Sequence, residues 1–420
     1  MDAIHLALNP WWEGKALESG ISRPAYVERL AKFLDRKQIE ILVGSRRVGK
    51  TTLLKQLIKE LLQKGEDAKN VYYLALDHPA LSGKPISNHL KEMRKFFLHD
   101  RQKKLFLFLD EVQESPNWEI ELKALCDLES VKIFCTGSTA SLIKSQGGKL
   151  TGRQIVTPVY PLSFSEFILF RGGPPSFSED YKYERLVEEY LQVGGYPEHV
   201  LHPSIEYLGN LLEDIMARDL IRLFPIKKPF ALRNLFQLIA SSVGSRTSFH
   251  KLSRVLDLSV DTVKEYISYL ESAFLVSSLE KWTSSWSEKV YAAKKIYLWD
   301  TGIKALISGH EDKGAQAENA AYMELKRRGI ACGYYAESER EVDFVTGSPN
   351  HPLPIEVKYV ASFDWHDKRV AGIKLFLRSY PKTKKVIVVS QNIEAEERVQ
   401  NQTIQIAPLW KFLLRSTAYL

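Results

Sequence analysis

The stretch Ile39-Glu-Ile-Leu-Val-Gly-Ser-Arg-Arg-Val-Gly-Lys-Thr51 joins a short apolar run to a glycine-containing turn and then to a helix-forming segment. Residues 44–51 match the pattern GxxxxGK[ST], in which backbone N–H groups surround phosphates at a helix N-terminus. The preceding strand and the helix predicted over Thr51–Leu62 are the context that this pattern requires. A chance glycine-rich turn before a helix is the weaker explanation. The stretch therefore predicts an α/β fold with a phosphate-binding loop.

The residues of this loop have separate expected roles. The two glycines allow backbone N–H groups to approach phosphates closely. We expect Lys50 to reach the β- and γ-phosphates of ATP and Thr51 to ligate Mg²⁺. The run expected to contact the nucleotide comprises Gly44, Ser45, Arg46, Arg47, Val48, Gly49, Lys50, Thr51 and Thr52.

An acidic element follows downstream. The apolar run Leu105–Leu109 ends in Asp110 and Glu111. Asp110 is predicted to hold the metal, directly or through water, and Glu111 to polarise the water that attacks the γ-phosphate. An ordinary strand followed by a helix-capping acid is the alternative for this pair.

Short apolar runs alternate with helix-forming segments from Gln38 to about Phe170. Such alternation is typical of βα units with a parallel sheet that is buried on both faces. The expected strands are Ile39–Val43, Val71–Leu76, Leu105–Leu109, Val131–Thr136 and Ile155–Val159.

Two further polar positions are candidates for contact with the γ-phosphate. Ser138 follows the fourth expected strand and is the preferred residue, while Thr136 and Thr139 compete with it and a helix N-cap explains the same residues. Arg153 lies at the edge of the nucleotide domain, which faces a neighbour's nucleotide in ring ATPases. It is a candidate arginine finger acting in trans within a homo-oligomer, and a surface salt bridge is the alternative.

Several stretches resemble a prokaryotic AAA+-like ATPase family whose members carry a C-terminal domain of unknown function similar to restriction endonucleases. The resemblance covers about residues 9–360 and implies an ATPase with a helical lid around residues 171–225. The stretches are Arg46-Arg-Val-Gly-Lys-Thr-Thr-Leu-Leu, Asp110-Glu-Val-Gln, Thr136-Gly-Ser-Thr-Ala-Ser-Leu, Leu150-Thr-Gly-Arg, Tyr160-Pro-Leu-Ser-Phe-Ser-Glu-Phe and Gly194-Gly-Tyr-Pro-Glu.

A helix-turn-helix pattern is predicted after residue 247. Residues 248–256 form a short amphipathic segment, Val260–Phe274 a longer one, and Leu275–Glu280 has the character of a wing strand. The longer segment exposes acids beside a single lysine, whereas a helix that reads DNA bases normally carries several Lys, Arg or Asn. A winged helix used for packing or protein contact is therefore as well supported as one that binds DNA.

Acidic and basic residues near the C-terminus form a second constellation. Glu356 and Lys358 share one strand face, and Asp343 comes from a neighbouring strand. With Glu318 on the predicted helix Ala315–Arg327, the set resembles the D-(D/E)xK core of restriction-endonuclease-like nucleases. The resemblance implies Mg²⁺ ligation by Asp343 and Glu356, with Glu318 as a further ligand from the helix or as a partner of a metal-bound water. Lys358 would orient the attacking water or help to deprotonate it. Charged residues that merely decorate a half-exposed strand are the alternative.

Composition limits the class of protein. The chain has 420 residues and a formal charge of +7, which permits a polyanionic partner such as DNA without requiring one. Its three cysteines, Cys126, Cys135 and Cys332, are far apart and form no CxxC, so a reducing compartment fits best. The N-terminus lacks the pattern of a signal peptide, and no apolar run has the length of a membrane span. We expect a cytoplasmic protein with no membrane partner.

The predicted fold class is α/β in four parts. These are an AAA+-like ATPase core with an N-terminal segment at 1–170, a helical lid at 171–225, a winged helix-turn-helix at 226–284 and a restriction-endonuclease-like domain at 285–420. The first functional hypothesis is an ATPase that couples nucleotide state to nucleic-acid binding or metal-dependent cleavage. The second is a nucleotide-gated scaffold whose nuclease-like domain binds without cutting.

Overall fold

The computed structural model describes residues 3–137, 150–176, 179, 181–309, 312–365, 367 and 370–419. The chain divides into two compact units, residues 1–159 and 160–420. None of the helices in these described ranges is long and apolar enough to cross a membrane. The candidates Ser138 and Thr139 lie outside the described residues.

The first unit is built on a parallel five-stranded sheet in the order β2-β3-β4-β1-β5, typical of P-loop ATPases. The parallel sheet predicted from the alternating runs is confirmed. Its strands are β1 Ile39–Val43, β2 Val71–Ala75, β3 Leu105–Asp110, β4 Val131–Gly137 and β5 Gln154–Pro158. Its helices are Ala3–Leu8, Pro24–Ala31, Lys50–Gln63, Ile86–Phe97 and Trp118–Leu128, with 3-10 turns at Pro10–Glu13, Ala68–Asn70 and Val112–Glu114.

The apolar side chains of these strands explain why the sheet is covered on both faces. Every residue of β1 and β3 is buried. The rings of Phe108 and Phe134 stack on neighbouring strands with centroids 5.3 Å apart, and Leu53 and Leu57 of the helix Lys50–Gln63 belong to the same core. This packing fixes the helix that follows the phosphate-binding loop against the strand that precedes it.

The N-terminal segment covers the outer edge of β2. Asn9 accepts a hydrogen bond from the N–H of Tyr73 at 2.7 Å and donates its amide to the carbonyl of Tyr73 at 3.0 Å. The indole N–H groups of Trp11 and Trp12 both donate to the carbonyl of Val71, at 3.1 and 3.0 Å. Side chains thus satisfy backbone groups that an edge strand would otherwise expose.

The second unit contains two sheets and most of the helices. The three-stranded sheet has the order β6-β8-β7, and the mixed six-stranded sheet has the order β13-β14-β12-β11-β10-β9. Their strands are β6 Arg246–Thr247, β7 Val276–Leu279, β8 Lys294–Leu298, β9 Cys332–Glu337, β10 Arg340–Ser348, β11 His351–Lys358, β12 Lys385–Ser390, β13 Ala395–Val399 and β14 Gln402–Pro408. The helices are Phe164–Phe170, Tyr181–Val193, Pro197–Leu201, Ile205–Asp214, Pro229–Ser241, Phe249–Leu256, Val260–Ser272, Trp286–Tyr291, Thr301–Ser308, Lys313–Arg327, Ala371–Ser379 and Leu409–Tyr419, with a π-helix at Ile215–Ile221.

Two short helices form the region predicted as a helix-turn-helix. Ser248 and Ser259 cap them by accepting backbone N–H groups at 3.1 and 3.0 Å, and Asp257 turns the chain between them with φ +50°. The strand β8 then pairs antiparallel with both β6 and β7. This sheet joins strands from both sides of the boundary predicted at residue 285, and the four-part division stays a prediction.

Asp300 connects the stretch Gly194-Gly-Tyr-Pro-Glu, on which the family resemblance partly rests, to the helix Thr301–Ser308. Its carboxylate accepts the N–H of Ile303 at 3.1 Å, capping the helix Thr301–Ser308, and the N–H of Gly195 at 2.6 Å. A Cβ on Gly194 would lie 2.3 Å from the Asp300 carboxylate, so the turn requires glycine there. Burial raises the pKa of Asp300 to about 6, although these backbone N–H groups act to lower it.

Candidate nucleotide site and C-terminal acid cluster

The loop between β1 and the helix Lys50–Gln63 has the backbone shape that its sequence predicts. A Cβ on Gly44 would lie 2.5 Å from the carbonyl oxygen of Val159, so only glycine fits beside the chain that leaves β5. Arg47 and Gly49 adopt left-handed backbone conformations, with φ +59° and +98°. The chain therefore curls immediately before the helix begins, as a phosphate-binding loop requires.

Lys50 lies across this loop. Its ammonium donates to the carbonyl oxygens of Gly44 and Ser45, both at 3.0 Å, and the residue is only 7% exposed. Lys50 also begins the helix whose N-terminus supplies partial positive charge. The loop thus concentrates positive charge where phosphates would bind.

Three hydroxyl groups surround the carboxylate of Asp110. Thr51 and Tyr73 donate to Oδ2 at 2.8 and 2.9 Å, and Thr136 donates to Oδ1 at 2.5 Å. The sheet order explains the arrangement, because β4 lies between β1 and β3 and carries Thr136 to the gap between the two motifs. Burial and the neighbouring charge of Asp110 raise the pKa of Tyr73, so its hydroxyl remains a neutral donor.

The residues around Asp110 fit a magnesium ion. The Thr51 hydroxyl and one Asp110 oxygen lie 2.8 Å apart beside the phosphate-binding loop. Hard oxygen ligands from one or two side chains, completed by phosphates and water, are the usual protein site for Mg²⁺. Thr51 and Asp110 are therefore the residues of this chain that would hold the ion.

Glu111 occupies a fixed but accessible position at the end of β3. Its backbone is left-handed, with φ +51°, and its N–H donates to Thr136 Oγ1 at 2.8 Å. The amide of Gln113 donates to the Glu111 carboxylate at 2.5 Å. Sequence reasoning did not assign a role to Tyr73 or Gln113, although Gln113 lies within the quoted stretch Asp110-Glu-Val-Gln. It considered Thr136 only as a competitor of Ser138.

Arg153 lies just before β5 and makes an ion pair. Its Nε is 2.9 Å from the Asp127 carboxylate, and both side chains are partly exposed. This contact is the surface salt bridge that the sequence left open as an alternative. The role of Arg153 as a finger in trans stays a prediction.

The structure brings together the predicted acids and lysine of the second unit. Asp343 on β10 donates its N–H to Glu356 at 3.2 Å and accepts the N–H of Val357 at 2.9 Å. Lys358 pairs with Glu356 at 2.6 Å. Asp343 and Glu356 are buried, so these charges are held in a region that is largely closed to water.

Lys295, which sequence reasoning did not single out, lies at the centre of this cluster. Its side chain is 0% exposed, and its ammonium is 3.1 Å from Glu318, 3.1 Å from Glu341 and 3.0 Å from Asp343. The sequence signal is weak, because β8 begins with two lysines, Lys294 and Lys295, ahead of its apolar residues. Tyr297, two residues further along the same strand, donates to Glu318 at 2.7 Å.

The pKa shifts in this acid cluster follow from burial and from the two lysines. Burial and the charge of Asp343 raise the pKa values of Glu318 and Glu356. Burial also acts to raise the pKa of Asp343, but Lys295 and Lys358 outweigh it and lower that pKa. Burial acts to lower the pKa of Lys295, and the surrounding carboxylates outweigh it. Lys295 and Asp343 therefore form a charged pair.

The acid cluster as arranged does not fit a metal ion. Within the described ranges, the set of three metal-donor side chains whose ligand atoms lie within 4.8 Å of one another is His5, His89 and Glu92, in the first unit. The predicted ligands Glu318, Asp343 and Glu356 do not meet that spacing. The ammonium of Lys295 instead touches both Glu318 and Asp343.

The loop, the sheet order and a family match define the class of the first unit, an ATPase-like P-loop fold. Residues 36–168 match the family model of an AAA domain. Residues 184–314 match a domain of unknown function (DUF8612), and residues 313–412 match another (DUF4143). The family match to the second unit assigns no nuclease activity to it.

Sequence similarity to two relatives covers most of the chain. An uncharacterized protein of Haemophilus influenzae is 26% identical over 360 residues, which cover 83% of this chain and 89% of that protein. An uncharacterized protein of Methanocaldococcus jannaschii is 26% identical over 400 residues, which cover 90% of this chain and 88% of that protein. The similarity is thus not confined to the first unit.

Solved structures with some similarity include a Walker-type ATPase and a branch migration motor. The Walker-type ATPase PABY2304 of Pyrococcus abyssi has a TM-score of 0.42 and 13% identity, covering 68% of this chain and 95% of that one. The RuvB Holliday junction branch migration motor of Thermotoga maritima has a TM-score of 0.30 and 15% identity, covering 61% of this chain and 89% of that one.

Proposed function

We propose that this chain binds ATP with Mg²⁺ and hydrolyses it at the site formed by the loop, Asp110 and Glu111. The observation that carries the proposal is the 2.8 Å contact between Thr51 and Asp110 beside the buried ammonium of Lys50. The arrangement places ligands for a metal ion, Thr51 and Asp110, next to the positively charged Lys50, which would bind the phosphates. The bound ion would neutralise developing negative charge on the phosphates.

The chain's own groups then have distinct roles. Lys50 and the loop N–H groups bind the β- and γ-phosphates and orient the terminal phosphoryl group. The Glu111 carboxylate accepts a hydrogen bond from the attacking water and thereby polarises it. Gln113 and Thr136 are positioning residues, because one bonds the Glu111 carboxylate and the other its backbone N–H.

The test measures ATP binding and phosphate release by the full chain, with and without Mg²⁺. We expect Mg²⁺-dependent phosphate release, and its loss in Asp110→Asn, because the neutral amide is a much poorer ligand for a hard cation. Magnesium-independent release, or an unchanged rate in Asp110→Asn, would contradict the proposal. Samples treated with a chelator give the metal-free baseline.

For the second unit we propose that nucleotide state controls a domain that binds a partner without cutting it. The central position of Lys295 supports this hypothesis over metal-dependent cleavage of nucleic acid, because the acids already have a cation. The formal charge of +7 and the two capped helices before β7 make nucleic acid the partner to test first. The proposed winged-helix role rests on those two helices and the β6-β8-β7 sheet.

The experiment compares binding with cleavage on the same DNA samples. Duplex, single-stranded and branched DNA are incubated with the full chain, ATP and Mg²⁺ or Mn²⁺. We expect the full chain to bind DNA in a way that depends on the nucleotide, and we expect it not to nick plasmid DNA. Nicking that disappears in Asp343→Ala and in Lys358→Ala would instead support the nuclease hypothesis.

A further inference from the structure

Lys295 is a buried cation with three carboxylate partners. Its strand, β8, belongs to the three-stranded sheet, whereas Asp343 and Glu341 belong to β10 of the six-stranded sheet. All three ammonium–carboxylate distances are 3.0 or 3.1 Å. A fully buried ammonium is stable only when such partners replace its hydration, so these contacts fix where Lys295 lies.

The charges of the cluster nearly cancel. Its carboxyl groups are Glu318, Glu341, Asp343 and Glu356. Lys295 bonds three of them, Lys358 pairs with Glu356, and Arg246 pairs with Glu341 at 3.1 Å. Four acids thus face three bases, and the formal charge is −1 when every group is ionised. Lys295 therefore neutralises negative charge that Glu318 and Asp343 would otherwise offer to a cation.

The geometry places the Lys295 ammonium against both Glu318 and Asp343. A magnesium ion between Glu318 and Asp343 would lie about 2.0–2.1 Å from an oxygen of each. The ammonium of Lys295 already lies about 3 Å from oxygens of both carboxylates. An ion that bridges these same two oxygens would overlap with the ammonium, so Lys295 must leave before such an ion can enter.

We propose that Lys295 is a built-in counter-cation that takes the place of a metal ion, so that the acid cluster binds no divalent cation. The proposal deepens the binding-without-cutting function proposed for the second unit, and it is independent of the proposed ATP site. Lys295 also joins the two sheets of this unit electrostatically, which ties the capped helices before β7 to the acid cluster.

The test is calorimetric titration of Mn²⁺ into the full chain without nucleotide. Every sample carries Asp110→Asn, which removes the expected metal ligand of the ATP site and separates this result from the ATPase proposal. The first variant is Lys295→Gln. The second combines Lys295→Gln with Glu341→Gln, so that it loses one charge of each sign while Glu318, Asp343 and Glu356 stay in place. Lys304→Gln is the matched control, since Lys304 is also buried and its ammonium lies 3.4 Å from the hydroxyl of Ser308.

We expect no Asp343-dependent Mn²⁺ binding in the chain with Lys295 or in Lys304→Gln. Folded Lys295→Gln or the charge-balanced double variant should bind Mn²⁺ at least about tenfold more tightly, and adding Asp343→Asn should remove that gain. Circular dichroism identifies the folded samples. Asp343-dependent Mn²⁺ binding in the chain with Lys295 would overturn the proposal, whether or not the variants fold. A folded Lys295 variant without any gain would overturn it as well.

Discussion

Lys50 and Lys295 both lie near buried carboxylates, and their partners differ. Lys50 donates to two backbone carbonyl oxygens, while nearby Asp110 receives hydrogen bonds from three neutral hydroxyls. Lys295 donates directly to carboxylates. Neutral hydroxyl donors leave the negative charge of Asp110 for a cation to meet, whereas the direct ion pairs of Lys295 cancel charge within the protein. In our proposals, the same residue types therefore prepare one site for ligands and close the other to metal.

Replacing Lys50 by alanine should have the largest effect. Lys50→Ala removes the ammonium that faces the phosphates, so we expect ATP binding to weaken severely and hydrolysis to fall to background. The measurement is fluorescent nucleotide binding together with phosphate release. Lys59→Ala, an exposed lysine on the same helix, is the matched control and should leave both unchanged. Equal losses in the two variants would show that helix damage, not phosphate contact, causes the effect.

Arg153 extends the comparison to a neighbouring subunit. If it acts in trans, Arg153→Ala should lower hydrolysis by about 10⁴-fold with little change in ATP affinity. Mixing this variant with Glu111→Gln should restore part of the activity, because a shared site can combine the intact residue of each. Asp127→Asn removes only the ion-pair partner and should retain hydrolysis. A strictly monomeric protein whose specific activity is independent of concentration would exclude the finger.

Glu111→Gln tests the polarising carboxylate. The amide keeps the shape of the side chain but loses its charge, so ATP should bind normally while hydrolysis falls by about 10³-fold. Single-turnover phosphate release measures the chemical step directly. The exposed neighbour Glu114 supplies the control, and Glu114→Gln should hydrolyse ATP at the normal rate. Normal hydrolysis by Glu111→Gln would disprove the role assigned to Glu111.

Asp300 is expected to give a smaller effect. Its buried carboxylate is held by backbone N–H groups, in contrast to the hydroxyl donors around Asp110 and the lysine ion pairs of the acid cluster. Its pKa is raised from 3.8 to about 6 in the folded chain, so the folded state binds the proton more tightly than the unfolded state. The contribution to stability is complete below pH 4 and is lost as the pH rises through 6, at most about 3 kcal/mol. Urea denaturation between pH 4 and 7 should show this loss, and Asp300→Asn should reduce it. Identical pH profiles would contradict the shift.

The nucleotide site could be predicted from sequence because its parts are local. The strand, loop and helix lie within one continuous stretch, and β3 ends at the predicted acid Asp110. Strand ends moved by only a residue or so, as for Val71–Leu76, which forms the strand Val71–Ala75. Apolar runs of strand length between helical segments were sufficient to predict a parallel sheet.

Contacts between distant segments could not be predicted in the same way. Lys295 reaches Asp343 across 48 positions of sequence, and Tyr73 reaches Asp110 across 37. The register of several strands determines both contacts, and no local pattern encodes it. The acids and Lys358 were found because their two strands are close in sequence. The lysine that changes their chemistry comes from another sheet.

Counting Mn²⁺ sites on the full chain by electron paramagnetic resonance tests the contrast between the two clusters most directly. A non-hydrolysable ATP analogue should create one Mn²⁺ site that is lost in Asp110→Asn and retained in Asp343→Asn. Without the analogue, no Mn²⁺ site that depends on Asp343 should appear. A nucleotide-independent Mn²⁺ site that Asp343→Asn abolishes, or an analogue-dependent site that Asp110→Asn leaves unchanged, would contradict the contrast.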